Sequence, residues 1–551
     1  MTREGALMNS AVNLQDLKIL IVDDLVEARS ALKSMLGMLG ANQLDTATDG
    51  REAMELILEN DYDMVFADYN LGKGKDGQQI LEEARYSNRL KATASFIMVT
   101  GENAVDRVMG ALEYDPDAYV TKPFTLSILR ERLNRLWVLK SILHPVNQAI
   151  DLDEIDWAIE LATQVLEDNP RLLLPISRIL GKLCMRQERY EDAMQAYGQV
   201  LDSRGASWAR LGQAVCFYFM GDKEKAVQLI HETLVDHPMY VQCHDWLAKI
   251  LMDEGKMEEA QKELQTAVNI SPRAVLRQME LGKLALENGD VDVARDAFEQ
   301  AMRLGRYSCY KSSSTYIQFV QAAQLNLDDS NSRDSRTLCS KALRALDEMK
   351  QEYSGQLNVI FDANIAETNT FKITANEDRA RSSADKAEGV LARIKEPTGE
   401  QQLQLTAAFV DTGQKEKAQG MMETLRDKNL QSDLLARLDS LESKLSNMNM
   451  REFSAALNEE GVGHYEKGEL NEAIKAFDKA TRYEEAGISV LLNAIQAKIS
   501  YMEREEIDVI QLKDCYKLLR RIGSIGRLDE RHERFVRLKT TCERLRRSAG
   551  L

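Results

Sequence analysis

The sequence is poor in residues that would suggest a disulfide-stapled, zinc-binding or all-β protein. Its 551 residues include seven cysteines, none in a CxxC pair. A disulfide framework is therefore not expected, and scattered thiols suit reduced, buried positions in the cytosol. The six histidines show no HExxH or paired spacing, so no zinc site is legible. Aromatics make up 6% of the chain, with 8 prolines and 30 glycines, which is little for a large β protein and shifts the expectation to helices. No run of 18 apolar residues occurs, and Met1–Leu14 has no apolar segment of signal-peptide type. Neither a membrane span nor secretion is expected, and the expected location is cytoplasmic. Basic residues are also short, 71 Lys and Arg against 88 Asp and Glu, for a net charge of −17. That balance argues against general affinity for nucleic acid or anionic membranes, both polyanions. Phosphate-binding loops of Walker type and GxSxG elbows are absent, and the chain is not expected to be an enzyme.

What is present is ordinary for a folded protein: 29% charged and 44% hydrophobic residues. A length of 551 allows several domains, or one domain plus a repeat array. Residues 18–140 alternate short apolar runs with helical patterns. Lys18–Asp24, Met64–Ala67, Phe96–Val99 and Ala118–Thr121 read as strands, with a weaker one at Gln43–Ala47. Between them, Glu27–Leu39, Arg51–Glu59, Gln79–Arg85, Asn103–Leu112 and Leu126–Leu139 read as helices. Near-continuous apolar strands alternating with helices predict a doubly wound, five-stranded parallel sheet covered on both faces. Right-handed crossovers place all strand C-terminal ends on one edge. Asp23 and Asp24, Asp68, Thr100 and Lys122 stand at four of those ends. A single acidic residue there would be an unremarkable loop start; the complete set is a candidate site.

These residues resemble the receiver domain of two-component response regulators. The resemblance rests on Asp23-Asp24, Asp68 within Ala67-Asp-Tyr-Asn70, Thr100-Gly101, Tyr119 and Lys122-Pro123, and covers about a quarter of the chain. It implies a flavodoxin-like fold, with Asp68 as phosphoacceptor and Thr100 and Lys122 as phosphate contacts. It further implies that Asp23, Asp24, Asp68 and the backbone carbonyl of Asn70 hold Mg²⁺, and that Thr100 and Tyr119 form the switch. Lys122–Pro123 is expected to be cis. Asn70 and Glu102 occupy positions that tune dephosphorylation in the family. The loop Asn70–Gly77 departs from the family pattern: it is one residue longer and lacks proline, so altered loop flexibility is expected.

Elementary chemistry agrees with these roles. Three crowded carboxylates raise at least one pKa unless a cation sits among them. Mg²⁺ favours carboxylates combined with phosphate oxygens and water. A carboxylate can act as a nucleophile, and a lysine can balance charge on phosphoryl oxygens.

After Lys140 the sequence reads as helical. Leu247-Ala248, Leu251, Gly255, Ala260, Leu264, Ala267 recur 34 residues later as Leu281-Gly282, Ala285, Gly289, Ala294, Phe298, Ala301. A 34-residue helix–turn–helix period is the tetratricopeptide signature, and an all-α solenoid is expected. A later copy contains Gly461, Gly468, Ala473, Phe477 and Ala480. The expected domains are a receiver at 14–140, tetratricopeptide repeats at 150–305, an irregular helical or degenerate repeat region at 306–450, and repeat-like helices with a basic end at 451–551. The Ser/Asp-rich run Asp328–Ser335 reads as a loop or cap. His231, His237 and His244 read as turn and packing residues, and Cys216 and Cys243 as core thiols. From Lys513 to Leu551 basic residues outnumber acidic ones by twelve to five, which suits a capping segment or a docking surface for an acidic partner.

The expected function is that of a phosphorelay response regulator. A sensor histidine kinase would phosphorylate Asp68, and the repeats would bind a protein partner. The alternative is a scaffold or phosphate sink that sequesters a kinase or another regulator independently of phosphorylation. Receiver–tetratricopeptide regulators of the VieB type, which modulate another regulator of their own system, share this layout. The resemblance leaves a homodimer open.

Overall fold

Alternate residues of the N-terminal strands face opposite sides of a single sheet, each side burying its own core. The computed structural model describes residues 14–101, 115–327, 332–428 and 430–550. The predicted helix Asn103–Leu112, Glu102 and residues 328–331 of the Ser/Asp-rich run lie outside them. Strands β1 (Lys18–Val22), β2 (Gln43–Ala47), β3 (Met64–Asp68), β4 (Ser95–Gly101) and β5 (Ala118–Lys122) form a parallel sheet in the order β2-β1-β3-β4-β5. On one face Leu20, Val22, Val65, Ala67, Phe96 and Met98 pack against α2 (Gly50–Glu59) and α3 (Gly77–Tyr86). On the other, Ile19, Ile21, Met64, Phe66, Ile97 and Val99 meet α1 (Val26–Met38) and α4 (Leu126–Asp151). Each large side chain so buried contributes roughly 1.5–3 kcal/mol over exposure. Helix starts are fixed locally. The Asp49 side chain caps α2, Asp76 and Gln79 form a capping box at α3, and Thr125 caps α4.

The helix predicted at Leu126–Leu139 continues to Asp151, with Pro145 inside it. Its first half presents Leu129, Leu133 and Leu136 to the sheet. Its second half presents Leu143, Val146 and Ala149 to the first helices of the array, α5 (Ile155–Asp168) and α6 (Leu173–Arg186). The stretch between the two predicted domains is thus helix as well, and α4 belongs to both cores.

Paired helices follow: α7 (Tyr190–Arg204), α8 (Ser207–Phe219), α9 (Lys223–Asp236), α10 (Val241–Asp253), α11 (Met257–Ile270), α12 (Val275–Glu287), α13 (Val291–Gly305), α14 (Ser313–Leu325) and α15 (Arg333–Glu352). The 34-residue pattern has a direct physical meaning here. Gly255 and Gly289 adopt φ of +76° and +77° at the turns within successive hairpins, a region that glycine enters without a Cβ penalty. Gly282 lies against the Phe298 ring so closely that a Cβ would stand 2.6 Å from its Cε1. The sheet and these helices form one compact unit, Met1–Tyr353.

The second compact unit, Ser354–Leu551, contains α16 (Leu357–Ile373), α17 (Glu377–Leu391), α18 (Gly399–Asp411), α19 (Lys415–Arg426), α20 (Ser432–Glu466), α21 (Leu470–Ala480), α22 (Ile488–Arg504), α23 (Val509–Ile522) and α24 (His532–Ser548). Gly461 and Phe477 repeat the Gly282–Phe298 contact at the same 2.6 Å. The region expected to be irregular is made of helices of uneven length, from 12 residues in α19 to 35 in α20. Uneven lengths shift the 34-residue register, and α20 runs across the predicted division at residue 450. Several basic residues near the C-terminus are engaged within this unit. Arg534 reaches Asn493 Oδ1 at 2.8 Å, Arg531 pairs with Asp529 at 2.6 Å, and Arg544 pairs with Glu503.

Candidate phosphoacceptor site

Strand register brings the acid residues together. Val22 pairs with Ala67, so Asp23 and Asp68 follow at the same level. Asp68 itself pairs with Val99, and Thr100 with Thr121, placing Thr100 and Lys122 one or two rungs further along the same edge. Among the described residues, Asp23, Asp24 and Asp68 offer carboxylate oxygens all within 4.8 Å of one another. Asp23 and Asp68 are 4% and 9% exposed, whereas Asp24 is open to solvent. Lys122 Nζ lies 2.7 Å from Asp23 Oδ2 and 2.8 Å from Asp68 Oδ2.

Local structure fixes each side chain. Asp23 Oδ1 accepts from the Leu25 amide at 3.0 Å, and its carbonyl accepts from Arg29 Nη1 at 2.5 Å. Arg29 was not singled out from the sequence; its place in the first turns of α1 is the only signal it carries. Asp68 Oδ1 faces the Asn70 amide at 3.4 Å. Thr100 is buried at the end of β4, and Tyr119 packs half-buried against the sheet core. Lys122–Pro123 is cis.

The electrostatics express a conflict. Burial holds the Asp68 carboxyl above the usual carboxylate range, and Asp23 adds to this, while Lys122 and the Asn70 amide pull it down. Burial also disfavours charge on Lys122, but its hydrogen bonds to Asp23 and Asp68 outweigh that cost and hold it above its ordinary value. Burial likewise raises Tyr119. A cluster of hard oxygen donors, partly buried and balanced by a single lysine, has the chemistry of a Mg²⁺ site. The residues present fit that ion.

Other candidates lie elsewhere. His244 is buried in α10, with Nδ1 2.7 Å from Glu263 and Nε2 3.1 Å from the Pro238 carbonyl. His231 lies within α9 and His237 closes it. Cys216 and Cys243 are fully buried, and burial pushes both thiols up to about 12. None of the described helices is long and apolar enough to cross a membrane.

The sheet order and its acidic edge define a receiver-type α/β domain followed by helical repeats. The response regulator receiver domain family matches residues 19–134, and the tetratricopeptide repeat family matches residues 247–308. Chemotaxis protein CheY-3 of Vibrio cholerae is 32% identical over 127 residues, spanning 23% of this chain and 96% of that protein. Chemotaxis protein CheY of Pseudomonas aeruginosa is 33% identical over 121 residues, 22% of this chain and 96% of its own length. A crystal structure of a two-component response regulator from Clostridium difficile aligns at 30% identity over 22% of this chain and 96% of that one, with a TM-score of 0.20. The chain belongs to the response regulator receiver family and carries tetratricopeptide repeats. It is a protein of two-component signalling, built from regulatory and protein-binding domain types.

Proposed function

We propose that this chain is a response regulator in which Asp68 accepts a phosphoryl group from a sensor histidine kinase and the repeats bind a protein as output. The observation that carries this reading is the convergence of Asp23, Asp24 and Asp68 with Lys122 on one sheet edge. In the transfer, an Asp68 carboxylate oxygen forms the new bond to phosphorus. The N–P bond of the kinase phosphohistidine breaks, and the imidazole nitrogen keeps the electron pair. Lys122, already within hydrogen-bonding distance of Asp68, balances charge on the phosphoryl oxygens. Asp23, Asp24, Asp68 and the Asn70 carbonyl would hold Mg²⁺, which when bound neutralises charge on the transferred group. Thr100 donates its hydroxyl to the phosphoryl group, and the added charge of about −1.5 to −2 draws it inward. Tyr119, packed beside that strand, then changes position and passes the signal on.

Incubation with labelled acetyl phosphate and Mg²⁺ tests the proposal. The wild-type chain should take up label and Asp68→Ala should not; equal labelling of the two would end the phosphoacceptor reading. Binding of a captured partner with and without phosphodonor distinguishes a phosphorylation-dependent output from a sink.

A further inference from the structure

The loop after the phosphoacceptor strand is a thin wall with two faces. On the inner face the Asn70 amide approaches Asp68. A Cβ on Gly72 would stand 3.2 Å from Asp24 Oδ2, and one on Gly77 would stand 2.3 Å from the Asp68 carbonyl oxygen. On the outer face lies a cleft of about 980 Å³. Asn70, Gly72 and Asp76 line it on one side, and Arg273, Gln278 and Leu304 of the repeats on the other. The wall separating the acid pocket from this cleft is thus a single stretch of backbone.

That stretch is intrinsically loose. Gly72 and Gly74 adopt φ of +70° and +118°, so the unbound chain samples many alternatives to this form. It is tied down from outside. Arg273, on the turn between α11 and α12, places Nη1 3.2 Å from Asp76 Oδ2, and its guanidinium charge also acts on the Tyr69 side chain, whose hydroxyl donates to Gln78 Oε1 at 3.3 Å. Asp76 caps α3 and Tyr69 adjoins Asp68, so one guanidinium holds the far end of the loop by an ion pair and acts electrostatically on its near end. Neighbouring contacts hold the same seam. Gln79 Nε2 donates to the Leu304 carbonyl at 3.3 Å, and the Tyr86 and Tyr310 rings meet edge-on at 5.7 Å. Further away, Asp115 pairs with Arg178 and Lys182 at 2.8 Å each.

We propose that Arg273, a residue of the repeat array, is a positioning residue for the receiver's acid pocket: by fixing the Tyr69–Asp76 loop it pre-forms the backbone that presents Asn70 to a divalent cation. The inference rests on the phosphoacceptor reading of that pocket. A loop already ordered does not have to be ordered on binding, so the cation binds more tightly when the tether is present. By linkage, a bound cation strengthens the receiver's hold on the repeats by the same factor. The array therefore sets how readily the receiver loads.

Calorimetric titration of the full chain with MgCl₂, paired with amide hydrogen exchange over residues 70–77, tests this. Arg273→Ala should weaken Mg²⁺ binding about fivefold or more and speed exchange in the loop. Arg273→Lys, which keeps the charge but cannot span both partners, should recover part of the affinity. Lys182→Ala, which cuts the same seam far from the loop, should bind as wild type. Wild-type affinity and unchanged loop exchange in Arg273→Ala would overturn the proposal, as would an equal loss in Lys182→Ala. The side chain of Arg273 is half exposed, and its removal leaves the helix cores intact. Asp24→Asn checks the pocket separately. If wild type binds Mg²⁺ and Asp24→Asn does not, a silent Arg273→Ala sinks this inference alone; a wild-type chain that binds no Mg²⁺ sinks the phosphoacceptor reading and this inference together.

Discussion

At the strand ends Asp23 and Asp68 are almost wholly buried with a single lysine between them, whereas the hairpin α12–α13 buries the Phe298 ring against Gly282 with no charge in the contact. The first arrangement is poised: two buried carboxylates share a half-buried ammonium, and any arriving cation or phosphoryl group changes their balance. The second is settled, because a ring filling a space defined by a glycine has one good arrangement. The pairing teaches where stability and chemistry reside in this chain. The repeats supply shape and most of the packing; the receiver edge gives up stability for reactivity.

The sharpest way to break that division is Phe298→Ala. Truncating a fully buried phenylalanine should destabilise the first compact unit by about 3–5 kcal/mol, read by denaturant unfolding. Phosphoryl uptake by the molecules that remain folded should be unchanged; a matching loss of uptake would show that the regions are not separable in this way. Next in size is Lys122→Ala. Loss of the charge facing Asp68 should slow labelling by acetyl phosphate on the order of 100-fold. The same variant should bind Mg²⁺ more tightly, since a competing cation has left the carboxylates, and calorimetry would show it. Tighter binding with slower transfer would sharpen the contrast, because a merely misfolded edge would lose both.

The smallest expected effect is a pH dependence. Burial raises the Asp68 carboxyl in the folded chain. A raised folded pKa favours the folded state at pH values below the unfolded pKa, and the benefit is lost as pH rises through the folded value. At neutral pH, without divalent cations, the charged Asp68 therefore costs stability. Asp68→Asn should then melt higher than wild type at pH 7, with the gap closing as pH falls through the raised folded value and nearly gone by about pH 4, the ordinary carboxylate range. A variant that melts lower at pH 7 would mean that the Lys122 contact outweighs burial.

Much of this was legible in sequence because parallel sheets send every strand C-terminus to one edge. Asp23, Asp24, Asp68, Thr100 and Lys122 needed only strand positions to be read as neighbours. The repeats were legible wherever Gly255 and Gly289 kept a fixed distance from Ala260 and Ala294. What escaped depended on contacts distant along the chain or on helix length. Nothing near Arg273 announces Asp76 as its partner, since the meeting is set by how the array curls past the receiver. The continuation of α4 escaped because proline removes a backbone donor and usually marks a helix end, yet Pro145 sits inside this one. The division between Tyr353 and Ser354 falls among helices whose unequal lengths had already blurred the period.

Because Leu129, Leu133 and Leu136 serve the sheet while Leu143, Val146 and Ala149 serve the array, α4 leaves no tether between them for a protease to find. A fragment ending at Lys140 would lose the turns that the repeats lean on, and one beginning at residue 150 would bare the apolar side of α5 and α6. Dissection at the apparent border would damage both pieces, so swapping this receiver onto another array requires carrying the whole of α4 with it.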